Sequence, residues 1–233
     1  MTGAAYYLNR LSGERLRRCY ELAPQRIKQY LDAEILYVVG RVQSAASVLE
    51  LGCGYGRALL QLARTPRSVV GIDTSLDSLL LARDVTAGCA ECELAAMDAT
   101  ALGFRDRVFD AVVCIQNGIC AFRVDPHKLL EEAIRVTRPG GQLLFSSYAE
   151  AFWPHRLHWF QLQAAAGLVG KIDYSATTPG EIVCEDGFRS GTTRASDFAR
   201  LCDRLGVQNI AIEVDGSSLV CEITAPGARC CMT

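Results

Sequence analysis

Over the first forty positions apolar residues recur every three or four: Leu8, Leu11, Leu16, Tyr20, Ile27, Tyr30, Leu31, Ile35 and Val38, with charges between them. That period predicts amphipathic helix over residues 5–40. Pro24 stands where a second helix would begin and Gly40 where it would end. The pattern then changes. Short continuous apolar runs at 47–51, 68–73, 93–97, 109–115 and 142–148 alternate with helical patterns at 57–64, 76–85 and 126–137. Thr74 or Ser75 can cap the second of these helices, and Pro139-Gly140-Gly141 breaks the third. Strands alternating with helices imply crossover connections and a parallel sheet. Unbroken apolar strands fit a sheet covered on both faces. After Glu150 the alternation stops. Residues 151–169 read as a helix rich in Phe152, Trp153, Trp159 and Phe160, and Asp186-Gly187 marks a hairpin within 180–193. A helix at 196–205 precedes a second hairpin, 207–214 and 217–224, turning at Asp215-Gly216. From Pro226 the chain reads as a tail.

Composition narrows the functional classes. With 233 residues, 50% of them hydrophobic and 21% charged, the chain can bury one sizeable core. A net charge of −2 favours neither a nucleic-acid backbone nor an anionic membrane as partner. No stretch approaches the roughly 20 apolar residues that span a bilayer. The first residues lack the basic leader and apolar stretch of a signal peptide. Eleven cysteines, an odd number at irregular spacing, read as reduced thiols rather than a disulfide framework. A cytoplasmic protein is expected.

The densest chemical signal is Glu50-Leu51-Gly52-Cys53-Gly54-Tyr55-Gly56-Arg57, between the first strand and the first helix of the sheet. Glycines there allow a tight turn and close approach of a ligand, and the helix start offers free N–H groups to an anion. Asp73 ends the next strand, where an acid can accept from both ribose hydroxyls of an adenosine-containing cofactor. A dinucleotide loop would carry glycine at its first, third and sixth positions. Counting from Gly52, the sixth position is Arg57.

Residues 48–56 resemble the first motif of class I S-adenosylmethionine-dependent methyltransferases. Gly71-Ile72-Asp73-Thr74-Ser75 resembles the second-strand motif, and Met97-Asp98-Ala99 the third. Phe109-Asp110-Ala111-Val112-Val113-Cys114 with Ile115-Gln116-Asn117-Gly118 resembles the fourth, and 130–141 the helix and turn before the fifth strand. The resemblance covers residues 47–148 in the family's order. It implies an α/β, Rossmann-like fold: a mostly parallel seven-stranded sheet with helices on both faces, a closing antiparallel hairpin and an N-terminal helical lid. It implies S-adenosyl-L-methionine as cofactor. The Gly52–Gly56 loop, Cys53 included, would hold the methionine part, with Glu50 near its amino group. Asp73, with Thr74 beside it, would hold the ribose. Asp98 and the Ala99 backbone would hold the adenine amine, and Ile115, Gln116 and Asn117 would line the floor between methyl donor and acceptor. One domain is expected: a lid (1–44), a cofactor-binding core (45–150), a substrate-side insert (151–195), a closing helix and hairpin (196–225) and the tail (226–233).

Methyl transfer needs alignment first, and a base only when the acceptor is protonated. No catalytic residue is assignable from the sequence. Candidates for the acceptor pocket are Tyr7 and Tyr20 in the lid, Asn117 after the fourth strand, and Tyr148, Trp153 and His155 after the fifth. His158 shares a helical face with His155. Cys89-x-x-Cys92 lacks the second pair of a zinc site, and no metal site is expected. Cys53 and Cys114 read as packing residues, and Cys120 as able to reach the pocket mouth. The leading expectation is methylation of a small molecule, with no nucleic-acid or membrane partner. The alternatives are thiol-dependent arsenite methylation through Cys53, Cys120, Cys184, Cys230 and Cys231, a non-catalytic S-adenosylmethionine-binding protein, and a nicotinamide-dependent oxidoreductase.

Overall fold

The N-terminal forty residues form three helices. In the computed structural model, which describes residues 4–227, α1 spans Ala4–Arg10, α2 Gly13–Glu21 and α3 Gln25–Val42. The expected helical pair is split once more at Leu11 and Ser12, where Gly13 takes a φ of +52°. Pro24 precedes α3 as expected, but the helix runs through Gly40 to Val42, because Val38 and Val42 stay on its buried face.

The sheet then follows: β1 (Ser47–Leu51), α4 (Leu59–Leu62), β2 (Ser68–Asp73), α5 (Leu76–Val85), β3 (Cys92–Ala96), β4 (Phe109–Cys114), α6 (Gly118–Ala121), α7 (Pro126–Val136) and β5 (Thr137–Tyr148). A single 3-10 turn (Glu150–Phe152) leads into α8 (Trp153–Ala165), the hairpin β6 (Glu181–Val183) and β7 (Arg189–Gly191), α9 (Ala195–Leu205), β8 (Asn209–Val214) and β9 (Ser218–Thr224). Seven strands lie in the order β3-β2-β1-β4-β5-β9-β8. The first five are parallel, and β9 runs antiparallel to both β5 and β8. Asp215 and Gly216 both have positive φ, the conformation a two-residue hairpin turn requires. This is the expected class I architecture, closing hairpin included.

Successive strand residues feed opposite layers. Val48 packs under α3, α4 and α5 with Val38, Leu59 and Leu79, whereas Leu49 packs under α7 and α9 with Leu130 and Phe198. Three expectations shift. The strand expected from Gln142 begins at Thr137, which pairs with Phe109 before the register slips at the Pro139-Gly140-Gly141 stretch. The helix expected over 57–64 is one turn, Leu59–Leu62, since Gly56 at φ +83° holds the chain in a loop until Ala58. The helix expected over 151–169 ends at Ala165.

The lid is tied down on two sides. The Gly13 N–H donates to Ser78 Oγ on α5 at 3.0 Å. On the other side Trp159 Nε1 of α8 donates to the Cys19 carbonyl at 2.9 Å, and the Arg15 guanidinium donates to the carbonyls of Gly167 and Leu168. Helix α2 thus bridges α5 and α8 across the carboxyl ends of the strands, and α1 is anchored beside it by the Tyr6 hydroxyl, which donates to Asp186.

Candidate active site

Beneath that bridge lies a cavity of about 210 Å³. Topology places it there: β1 and β4 are neighbours whose connections leave in opposite directions, and a crevice opens at the carboxyl ends at such a point. Cys53, in the loop after β1, is buried against Gly71, whose missing side chain leaves room for the thiol. Gly52 has φ +74°, and a Cβ on it would stand 2.4 Å from the Phe122 ring, itself part of the cavity wall. Gly52→Ala therefore adds left-handed strain of about 1–2 kcal/mol and displaces Phe122. A drop in melting temperature of roughly 5 °C is expected by calorimetry. Unchanged melting would show that the loop is not held as described.

Charged groups concentrate at the β1–β2 side. Glu50 is 4% exposed, and its Oε2 has no hydrogen-bond partner. Burial pushes its carboxyl up to about 8, against a lowering influence from Arg57 and with a raising one from Asp73. Arg57 stacks on the Tyr20 ring at 5.1 Å, and its Nε and Nη2 are also buried without partners. Asp73 accepts from the Gly54 N–H at 3.0 Å and the Ser75 N–H at 2.8 Å. Its carboxyl is raised by burial, which those amides oppose. Asp98 is exposed, and one of its oxygens accepts from the Thr100 N–H and hydroxyl at 2.8 Å.

The β4–β5 side is built differently. Gln116 and Asn117 follow β4 in left-handed conformation, at φ 55° and 63°. The Gln116 N–H donates to Glu34 at 2.6 Å. Glu34 is fully buried on α3 and also accepts from Ser146 and Ser218, so one carboxylate pins the cavity floor to β5 and β9. The Gln116 Nε2 is left without a partner. The Asn117 amide is engaged, accepting from Ser147 Oγ and donating to the Gly191 carbonyl.

Of the residues expected from sequence, Glu50, Gly52, Cys53, Gly54, Asp73, Thr74, Asp98, Ala99, Ile115, Gln116, Asn117, Tyr7, Tyr20 and Tyr148 line this cavity. Gly56 does not line it; its bare Cα faces Ala82 and Thr86 of α5, where it permits close packing. Trp153 and His155 lie outside the cavity wall: Trp153 packs beside the apolar cluster of Phe160 and Phe188, and His155 is exposed, its ring tilted against Phe152. The helix N-terminus expected to receive an anion is the single turn α4, too short for a substantial dipole. Arg57 stands at that place instead.

The thiols are dispersed. Cys53 is in the cofactor loop, Cys114 is wholly buried in β4, Cys120 meets Thr193 Oγ1 at 3.1 Å and Cys184 sits in the cluster beside α8. Cys230 and Cys231 lie outside the described residues. Among the described residues no three His, Cys, Asp or Glu side chains converge as a metal site.

Residues 48–141 match the family model for a methyltransferase domain. That segment carries a class I S-adenosylmethionine-dependent methyltransferase domain. The family's cofactor is S-adenosyl-L-methionine. The chain is 38% identical over 101 residues to a fatty-acid O-methyltransferase of Mycolicibacterium smegmatis, covering 42% of this chain and 36% of that one. It is 36% identical over 102 residues to a demethylmenaquinone methyltransferase of Clavibacter sepedonicus, covering 44% and 41%. The chain thus spans about two fifths of the length of these curated relatives. Among solved structures, a Pyrococcus horikoshii protein aligns over 95% of this chain and 98% of its own, at 20% identity and a TM-score of 0.64. The N-methyltransferase NodS of Bradyrhizobium japonicum, solved with S-adenosyl-L-homocysteine, aligns over 97% and 100% at 15% identity and 0.60. These two likenesses establish the fold.

Several residues of the site carry fainter sequence signals. Arg57 was read only as a helix start, although a cation directly after the last loop glycine was a usable signal. Glu34 stands among Ile27, Tyr30, Leu31 and Val38 on one apolar helix face. Arg156 and Gln163 stand likewise among Trp159 and Phe160. An isolated polar residue on a buried stripe was the mark of each.

Proposed function

We propose that the protein transfers a methyl group from S-adenosyl-L-methionine to a small-molecule acceptor. One observation carries the reading: a buried carboxyl (Glu50) and a half-buried guanidinium (Arg57), each with buried polar atoms that have no partner, stand on the wall of one cavity. Buried polar atoms left unpaired are costly, so they mark where a ligand supplies the partners. A free amino acid end, with one ammonium and one carboxylate, supplies both.

On this reading Glu50 holds the methionyl ammonium and Arg57 its carboxylate. Asp73 keeps lone pairs for the ribose hydroxyls while its N–H donors hold the loop. The second oxygen of Asp98 and the Ala99 backbone face the adenine. When bound, the cofactor supplies an electrophilic methyl group on a sulfonium. The protein's own work is alignment and exclusion of water. Glu34 fixes the floor through the Gln116 N–H. The α1–α2 bridge, through Leu16 and Tyr20, covers the site, in keeping with a lid (1–44), a cofactor-binding core (45–150), a substrate-side insert (151–195) and a closing segment (196–225). A small acceptor is supported by the partly covered, partly apolar cavity and by likeness to a fatty-acid O-methyltransferase and a demethylmenaquinone methyltransferase.

Calorimetry with S-adenosylmethionine tests the reading. Micromolar binding is expected, followed by transfer of labelled methyl to a component of a metabolite extract. Binding of NAD with indifference to S-adenosylmethionine would falsify it.

A further inference from the structure

The two ends of the cavity differ in charge. Glu50, Asp73 and Asp98 stand at the β1, β2 and β3 ends. On the acceptor side, beyond Gln116, the wall is made by Tyr7, Tyr20, Tyr148, Phe160, Gln163 and Ser190, with neither a carboxylate nor a histidine. The phenols there resist ionisation: burial lifts Tyr148 to about 12 and raises Tyr7 and Tyr20 as well. Glu34 is nearby, but it lies outside the wall and is committed to Ser146, Ser218 and the Gln116 N–H. The Cys19 thiol, also on the cavity wall, is pushed up to about 12 by burial, so no group on this side is in a proton-accepting form near neutrality.

Directly behind this wall is a cation. Arg156 is 1% exposed, and its guanidinium sits 4.5 Å from the centre of the Tyr148 ring. Its partners are all neutral: the Thr192 hydroxyl, the Ser190 carbonyl and hydroxyl, and the Gly191 carbonyl. Its Nε has no partner. Among the described residues no carboxylate pairs with it, and burial lowers its proton affinity accordingly. A buried charge of this kind is normally compensated. Arg156 does not itself line the cavity, but the Tyr148 ring and Ser190 that it holds do, so its charge lies one residue behind the acceptor wall.

We propose that the acceptor is an apolar carboxylic acid, bound as its carboxylate opposite the Arg156 charge and released as its methyl ester. This rests on the methyltransferase reading above and names its substrate class. A carboxylate arrives ionised, so a wall without a base suffices. One carboxylate oxygen donates an electron pair to the methyl carbon as the methyl–sulfur bond breaks and its pair stays on sulfur. Anion and sulfonium become a neutral ester and a neutral thioether, and no proton moves. An alcohol or an ammonium acceptor would need a base that this end lacks. Phe160 and Trp159 supply the surface for the apolar body.

The test uses octanoate, octanamide, octanol and octylamine with the full chain. In wild type without the donor, octanoate should quench Trp159 fluorescence with at least about tenfold higher affinity than octanamide. In Arg156→Gln that preference should disappear while S-adenosylmethionine affinity stays within about twofold, a split that general loosening would not produce. With labelled donor, octanoate should give a product that releases labelled methanol in mild alkali. Equal affinity for acid and amide in wild type, or methylation of octanol or octylamine with octanoate inert, overturns the inference even if Arg156→Gln fails to fold. Octanoate left unmodified by a protein that binds S-adenosylmethionine also overturns it and leaves the methyltransferase reading standing. Failure to bind S-adenosylmethionine at all would instead remove that reading.

Discussion

Glu50→Gln should weaken S-adenosylmethionine binding by about 100-fold or more while making the free protein more stable at pH 8.5. Both effects come from one cause. Glu50 is buried with an unpartnered oxygen, and burial pushes its carboxyl up to about 8. The amide keeps the shape and removes the charge, so the cost of burying an ion disappears along with the partner for the ligand ammonium. The sign follows from linkage. A carboxyl raised in the folded state contributes stability that is fully present below its unfolded value near 4.3 and is lost as pH rises through about 8. The gain in melting temperature for Glu50→Gln, on the order of 5 °C at pH 8.5, should therefore shrink toward zero near pH 4.5. Binding shows the reverse. The ligand ammonium holds the bound carboxylate ionised, so a proton is released on binding below pH 8. Affinity should fall by up to about tenfold per unit as pH drops from 8 toward 6. Calorimetry across that range, in two buffers of different ionisation enthalpy, reads both the affinity and the proton. A pH-independent affinity, or a variant no more stable than wild type at pH 8.5, would remove Glu50 from this role.

Asp73→Ala is expected to lower S-adenosylmethionine affinity by a similar factor, about 100-fold, but with a loss of stability. The carboxylate that would meet the ribose also accepts the Gly54 and Ser75 N–H groups. Truncation removes the ligand's acceptor and leaves two amides without partners. Asp73→Asn retains one acceptor oxygen and should fall between, at about tenfold. Melting temperature should drop by several degrees in the alanine variant and less in the asparagine variant. Wild-type affinity in Asp73→Ala would show that the ligand lies elsewhere in the cavity.

The two variants show how far the sequence reading reached. Glu50, Asp73 and the glycine loop were legible because their geometry is local: a strand end, a tight turn and a neighbouring strand end fix them within some twenty-five residues. Their unusual protonation was not legible, because burial depends on α1 and α2 crossing above the loop. The same crossing explains Arg57. In the sequence it opens a helix; in the structure the helix is a single turn, and Arg57 instead folds under Tyr20 toward the cavity. His155 and Trp153 mark the opposite error. An aromatic-rich segment was legible, but the face of α8 turned inward was not. That face carries Arg156, Trp159, Phe160 and Gln163, while His155 is left exposed.

By itself the sequence determined the parallel core, the closing hairpin and the cofactor class, since each rests on periodicity or on motifs whose parts are close along the chain. The tertiary structure alone decided which acceptor-side candidates meet at the cavity and that Arg156 stands behind them. Tyr7, Tyr148 with Arg156, and Ser190 come from three segments far apart in sequence, and no short-range pattern couples them. They meet because α1 packs with α8 in the cluster of Tyr6, Phe160 and Phe188, and β7 is drawn against the loop after β4 by the Asn117 amide. The buried, uncompensated charge of Arg156 is thus a product of how these segments pack, which a linear pattern does not encode.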